Sequence, residues 1–183
     1  MKRSSIKEKY LIYKVRQKDA EAYGQLYDFY VDRIYRYIFF KVATREDAED
    51  LTSEVFLKTW EYIKKTNKKI DNLNALFYRV ARNSVIDYYR TRKTKLNVTD
   101  EEYMQNISDS RDIEAEVNIK VEFANIELHL NKLKEDYKDI LILKYLEEFS
   151  IAEIAEITSR TKGNVRVLLH RATKALKEIA GEN

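Results

Sequence analysis

The sequence predicts an all-α chain of two small helical domains, the second a helix-turn-helix, joined by an acidic flexible linker. Three observations predict it. The 183 residues include no proline and only Gly24, Gly163 and Gly181 as glycines, so long helices meet few breakers. Apolar residues recur at helical spacing, and no run alternates as a half-buried strand does. Charge falls in blocks: residues 1–95 hold 22 Lys/Arg against 13 Asp/Glu, residues 96–131 hold 2 against 9, and residues 132–183 hold 10 against 9. A basic block, an acidic block and a balanced block set domains at 1–95 and 115–183, with the linker over 96–114.

Composition excludes several classes. With 36% charged residues and no apolar run near the roughly 20 residues of a spanning helix, no membrane insertion is expected. The start, Met1-Lys-Arg-Ser-Ser-Ile-Lys-Glu-Lys, has no apolar stretch behind it like that of a signal peptide, and a cytoplasmic location is expected. The absence of cysteine removes disulfides, thiolate metal sites and a cysteine nucleophile. His129 and His170 stand alone, no His/Asp/Glu cluster has ligand spacing, and no two glycines pair into a phosphate loop. No metal, no cofactor and no enzymatic activity are expected.

The elements follow in order. Residues 5–17 form a first helix. Asp19 caps a second that runs to about Val42, with Tyr23, Leu26, Tyr27, Tyr30, Ile34, Tyr37 and Ile38 on its inner face. Thr44, three residues before Asp47, makes an acidic version of the capping box and opens a third helix to about Lys64. The polar run from Lys65 to Asn72 is a loop, and a fourth helix covers about 74–92. Periodicity fades from Thr94 to about Asp112, where Asp100, Glu101, Glu102 and Asp109 gather. Helices resume near 113–133 and 135–146. Ser150 with Glu153 is a second capping box, and the last helix runs from about Thr161 to Ala180.

Three helix faces carry candidate function. On the third helix, 100° steps put Ala48, Leu51, Val55, Phe56, Trp60, Tyr62 and Ile63 on one half. Asp47, Asp50, Glu54 and Glu61 fall opposite, with Leu57 among them. Such a stripe is either a solvated face or a docking surface for a basic partner with an apolar anchor. On the fourth helix, Leu73, Leu76, Phe77, Val80, Ala81, Ser84 and Tyr88 point inward. Arg79, Arg82, Ile86, Arg90 and Lys93 point out, flanked by Tyr78 and Tyr89. Spaced cations follow a phosphate backbone, and aromatic faces stack unpaired bases, a pairing suited to single-stranded or opening DNA.

The last helix directs Val165, Leu168, Leu169, Ala172, Ala175, Leu176 and Ile179 inward. Arg166, Val167, His170, Lys174 and Lys177 face out, with Asn164, Arg171 and Thr173 at the flanks and Lys162 at the start. Preceded by Ser150-Ile-Ala-Glu-Ile-Ala-Glu-Ile-Thr and a short break, it has the layout of a helix that enters a major groove.

Three segments carry a resemblance: Asp47-Ala-Glu-Asp-Leu-Thr-Ser-Glu-Val-Phe-Leu-Lys-Thr-Trp, Phe77-Tyr-Arg-Val-Ala-Arg-Asn-Ser-Val-Ile-Asp-Tyr-Tyr-Arg, and the terminal hairpin with His170-Arg-Ala-Thr-Lys-Ala-Leu. Together, in this order and spacing, they resemble the bacterial RNA polymerase sigma factors of the extracytoplasmic-function (ECF) group. The resemblance implies an alternative sigma factor that binds core RNA polymerase and directs promoter recognition, melting and initiation. It implies docking through Asp47, Asp50, Leu51, Glu54, Phe56 and Leu57. It implies capture of the melted minus-ten strand by Lys68, Lys69, Asn72, Arg79, Arg82, Asn83, Tyr88, Tyr89 and Arg90. Duplex reading at the minus-thirty-five element falls to Thr161, Lys162, Asn164, Arg166, Val167, His170, Arg171 and Lys174. An anti-sigma factor is a common further partner in the group.

The chain departs from the group's pattern twice. Val167 and Leu168 stand where a polar or basic pair is usual, and the turn Thr158-Ser-Arg-Thr lacks the common Leu-Gly step. Two other readings compete. A conventional helix-turn-helix regulator acting without polymerase predicts a dimer on a palindromic site and leaves the acidic stripe without a task. A recombinase predicts strands and a nucleophile within an arginine cluster.

Overall fold

The computed structural model describes residues 6–66, 68, 70–96 and 128–181, and the chain divides into two compact units, residues 1–110 and 111–183. Among the described residues there is no strand. The expected linker lies outside them but for Leu96, as do Lys69 and the expected helical stretch 113–127.

The first unit is built from α1 (Ile6–Arg16), α2 (Ala20–Phe39), α3 (Arg45–Lys65) and α4 (Leu73–Leu96). Local chemistry sets each junction. Asp19 caps α2 by accepting from the Ala22 amide at 3.0 Å, which with Lys14 holds its carboxyl below the usual carboxylate range. Thr44 caps α3 by accepting from the Asp47 amide at 3.1 Å, and its hydroxyl donates to Asp47 Oδ2 at 2.6 Å. Asp47 therefore answers the cap through the hydroxyl, a variant of the expected box. Asn72 accepts from the Ala75 amide at 3.0 Å at the start of α4.

The core of this unit is aromatic. Phe77 lies with its ring centroid 5.0 Å from Tyr30 and 5.1 Å from Phe56, and Tyr23 stacks on Trp60 at 4.8 Å. Buried tyrosines need partners for their hydroxyls. Tyr23 donates to the Phe56 carbonyl at 2.6 Å and Tyr30 to Glu8 at 2.9 Å. Burial pushes both hydroxyls above the ordinary tyrosine range.

The second unit holds a helical turn at 128–131, α5 (Glu135–Leu141), α6 (Ile151–Thr158) and α7 (Lys162–Ala180). The expected helix over 135–146 changes character midway. Ile142–Leu146 is a π turn, closed by the Glu147 amide donating to the Ile142 carbonyl at 3.0 Å. Ile140, Leu141, Ile142 and Leu143 are all buried, so this segment is apolar all round and crosses the middle of its small unit. The Ser150–Glu153 capping box forms in full, and Thr161 caps α7 by accepting from the Asn164 amide at 3.2 Å.

Between α6 and α7 the chain turns through Ser159, which takes the left-handed conformation at φ 54°. The Arg160 amide donates to the Ala155 carbonyl at 2.9 Å and the Ser159 amide to that of Glu156 at 3.4 Å. This is a Schellman ending, with serine where glycine is favoured. It accounts for the missing Leu-Gly step: the turn keeps its geometry and bears about 1–2 kcal/mol of local strain.

Candidate docking and nucleic-acid surfaces

On α3, Asp50, Leu57 and Glu61 are exposed and Glu54 is half-buried beside Lys58 at 2.5 Å. Leu57, at 61% exposure, stands on the surface with no core role. Two docking residues implied by the resemblance are corrected. Leu51 and Phe56 are 7% and 5% exposed, and Phe56 packs on Tyr27 and Phe77. They hold α3 from within and offer a partner little surface. Tyr62, assigned to the inner half by spacing, is instead exposed.

Asp47 also differs from expectation. It is half-buried, and its Oδ2 accepts from the Tyr88 hydroxyl at 2.7 Å and from Arg92 Nη1 at 3.4 Å, both on α4. Its carboxylate thus faces its own fold. These partners lie more than forty residues away in sequence, a relation that helical spacing cannot signal.

On α4, Asn83, Ile86 and Arg90 are exposed, while Arg79 and Arg82 are half-buried. An open groove of about 460 Å³ runs between α3 and α4 and brings Arg79 and Asn83 beside Lys58, Tyr62 and Asp87. The expected row of exposed aromatics is corrected. Tyr78 is fully buried and meets the Tyr37 ring edge-on at 5.3 Å. Tyr88 and Tyr89 are half-buried, and the Tyr89 hydroxyl donates to the Lys41 carbonyl. Neither is an open platform for a base. In the loop, Lys68 is exposed, but the Asn72 side chain is engaged as the α4 cap.

The α7 face differs. Lys162, Asn164, Arg166, Val167, His170, Arg171 and Lys174 are all exposed, and Val165 and Ala172 anchor the opposite side. Thr161 is exposed while its hydroxyl caps the helix. Val167 is 52% exposed at the centre of the basic face, as the spacing predicts, and Leu168 sits half-buried at the margin.

Among the described residues no group of three or more His, Cys, Asp or Glu could hold a metal, and no helix is long and apolar enough to cross a membrane. The arrangement offers binding surfaces: an acidic stripe, a groove in which Leu76, Val80 and Tyr62 lie beside charged and polar groups, and a basic helix face.

Known proteins match in the same order. The model of sigma-70 region 2 matches residues 26–95, and that of sigma-70 region 4 matches residues 124–176. The ECF RNA polymerase sigma factor BldN of Streptomyces coelicolor is 30% identical over 169 residues, 92% of this chain. The match spans 64% of BldN's own length. SigW of Bacillus subtilis, another ECF sigma factor, is 29% identical over 91% of this chain and 93% of its own. Two solved structures share the fold. CnrH in complex with the cytosolic domain of CnrY superposes at a TM-score of 0.70, with 16% identity over 97% of this chain and 99% of that one. RpoE with the anti-sigma factor NepR, from Bartonella quintana, superposes at 0.65, with 20% identity over 86% and 96%. With both sigma-70 regions present in order, and ECF relatives aligned along nearly its whole length, this chain belongs to the ECF group of sigma-70 factors.

Proposed function

We propose that the chain acts in the cytoplasm as an alternative sigma factor, with its tasks divided between the two units. The α3 stripe of Asp50, Glu54, Leu57 and Glu61 docks on core RNA polymerase. Opposite charge steers and orients the encounter, and Leu57 is the apolar anchor at the centre. Lys68 and Lys69, the α3–α4 groove with Arg79 and Asn83, and the cations Arg82 and Arg90 hold the melted minus-ten strand. Opening needs no bond chemistry from the protein. Unstacking costs a few kcal/mol per step, and backbone contacts and base capture offset it. The exposed α7 face reads the minus-thirty-five duplex. Arg166 and Lys162 meet guanine or phosphate, Asn164 meets a base edge, and Val167 packs on a thymine methyl.

The observation that supports this reading most is the pairing of an acidic helix face on one unit with a basic helix face on the other. A conventional regulator has use for the second face and none for the first. CnrH and RpoE are each described in complex with another protein, CnrY and NepR. An anti-sigma factor is accordingly part of the proposal.

The test is run-off transcription with purified core polymerase on genomic fragments of the host, with and without the chain. Discrete transcripts that need both components are expected. DNA binding without any polymerase-dependent transcript would replace the proposal with the conventional regulator.

A further inference from the structure

Helices α3 and α4 form a hairpin, with Lys65 at the end of α3 and Leu73 at the start of α4 marking its connected end. At the opposite end the chain is closed by a compact polar node. Asp47 Oδ2 accepts from the Thr44 hydroxyl at 2.6 Å, the Tyr88 hydroxyl at 2.7 Å and Arg92 Nη1 at 3.4 Å. Arg92 also donates to the Tyr88 hydroxyl oxygen, closing a triangle of Asp47, Tyr88 and Arg92. One residue along, Tyr89 donates to the Lys41 carbonyl in the α2–α3 turn. Midway, Lys58 reaches Ser84 at 3.3 Å. Two successive tyrosines of α4 therefore grip two successive parts of the chain, the α2–α3 turn and the first turn of α3.

We propose that Tyr88 and Arg92 are positioning residues that act through Asp47: they fix the angle of the strand-holding helix against the docking helix, so that polymerase bound on α3 presents α4 to the promoter in one orientation. The proposal rests on the reading of α3 and α4 given above. Its physical basis is the carboxylate. A charged acceptor with three donors makes hydrogen bonds stronger than neutral ones and directional, which apolar packing is not. Asp47 sits one turn from Asp50 on α3, and Tyr88 sits two residues from Arg90 on α4, so the node touches the root of both working faces. Without it the aromatic core still joins the helices, but the hairpin's open end is free to splay. Capture of the melted strand then bears the cost of restoring the angle, because a side chain or segment ordered on binding weakens that binding. The same geometry takes Tyr88 away from stacking on a base, since its hydroxyl is held and its ring is half-buried.

The test uses the full chain in reconstituted holoenzyme on a promoter defined by run-off transcription. Three versions are compared with the wild type: Tyr88→Phe, which removes one hydroxyl and keeps the ring, Asp47→Asn, and both together. Core affinity, permanganate reactivity of the opened strand and helix content at the assay temperature are measured for each. Tyr88→Phe should leave core affinity unchanged, and each single variant should lower opening by about tenfold, the size expected from losing one hydrogen bond to a charged group. The double variant should be no worse than the worse single one, as for two ends of one interaction. A template already melted by mismatches should restore transcription by the single variants. Losses that add in the double variant, or that persist on the melted template, overturn the proposal by marking independent strand contacts. Losses that track falling helix content overturn it too, in favour of plain stability. Normal opening by Tyr88→Phe overturns it while leaving the docking reading intact. A wild-type chain that neither binds core polymerase nor opens the promoter overturns that reading and the proposal with it.

Discussion

In the four-helix unit several of the side chains expected to bind are engaged with their own fold, whereas on α7 the expected set stands out in solvent. Asp47 meets Tyr88 and Arg92, Tyr89 meets Lys41, Asn72 caps α4, and Glu54 pairs with Lys58. On α7, Lys162, Asn164, Arg166, His170 and Arg171 are exposed over the first turns of the helix. The difference fits two kinds of recognition. A surface that must hold a strand while docked on a large partner gains from side chains fixed beforehand, since less freedom is lost on binding. A helix that reads a duplex works with long cationic side chains. Their ordering costs about 0.5–1.5 kcal/mol each, and released counterions offset it in a salt-dependent way.

The contrast can be broken hardest at Phe77. It is fully buried at the centre of the aromatic cluster, and Phe77→Ala should cost the first unit about 3–5 kcal/mol. The second unit has its own core of Ile140, Ile142, Leu143, Ile154 and Val165, so its melting should not move. Calorimetry should show one transition lowered and one unchanged.

On the open face, Arg166→Ala should weaken duplex binding by about 1–3 kcal/mol and relax preference at one base pair if the arginine reads a guanine. If it holds a phosphate, the salt slope should fall by about one instead. Titration of a fluorescent duplex at several salt concentrations separates these outcomes, and a change in neither removes Arg166 from the surface.

A smaller gain is expected at Ser159. Ser159→Gly relieves a left-handed serine at φ 54° and should stabilise the second unit by about 1 kcal/mol, read as a raised melting temperature.

The smallest separation is by alkaline pH. Burial raises the Tyr23 and Tyr30 hydroxyls above their ordinary range, so the unfolded state releases those protons first. Their neutral form supports the fold fully below about pH 10, and that support should be lost as pH rises beyond it. Urea midpoints of the first unit measured from pH 8 to pH 11 should therefore fall.

What the sequence disclosed and concealed follows from range. Caps at Asp19, Thr44 and Ser150 are local, each accepting from an amide three residues on, and all three form. The outward set on α7 was legible because one helix packs with one side inward. Spacing also assigned Leu51 and Phe56 to the inner half of α3, where they lie; their docking role came from resemblance alone, and burial leaves them little surface for it. The failures are long-range. Tyr78 lies beside cations on the helical wheel, yet Tyr37 and Arg33 from α2 cover it. Asp47 reads as part of an acidic stripe until Tyr88 and Arg92 arrive from the far end of α4. The π turn was invisible because a continuous apolar run has no period to break.

The division of labour is tested most directly by a crossed comparison of two charge variants in two binding assays. Asp50→Lys with Glu54→Lys should lose affinity for core polymerase while binding minus-thirty-five duplex as the wild type does. Lys162→Ala with Arg166→Ala should do the reverse. Parallel losses in both assays, or normal core binding by the charge-reversed chain, would contradict the account.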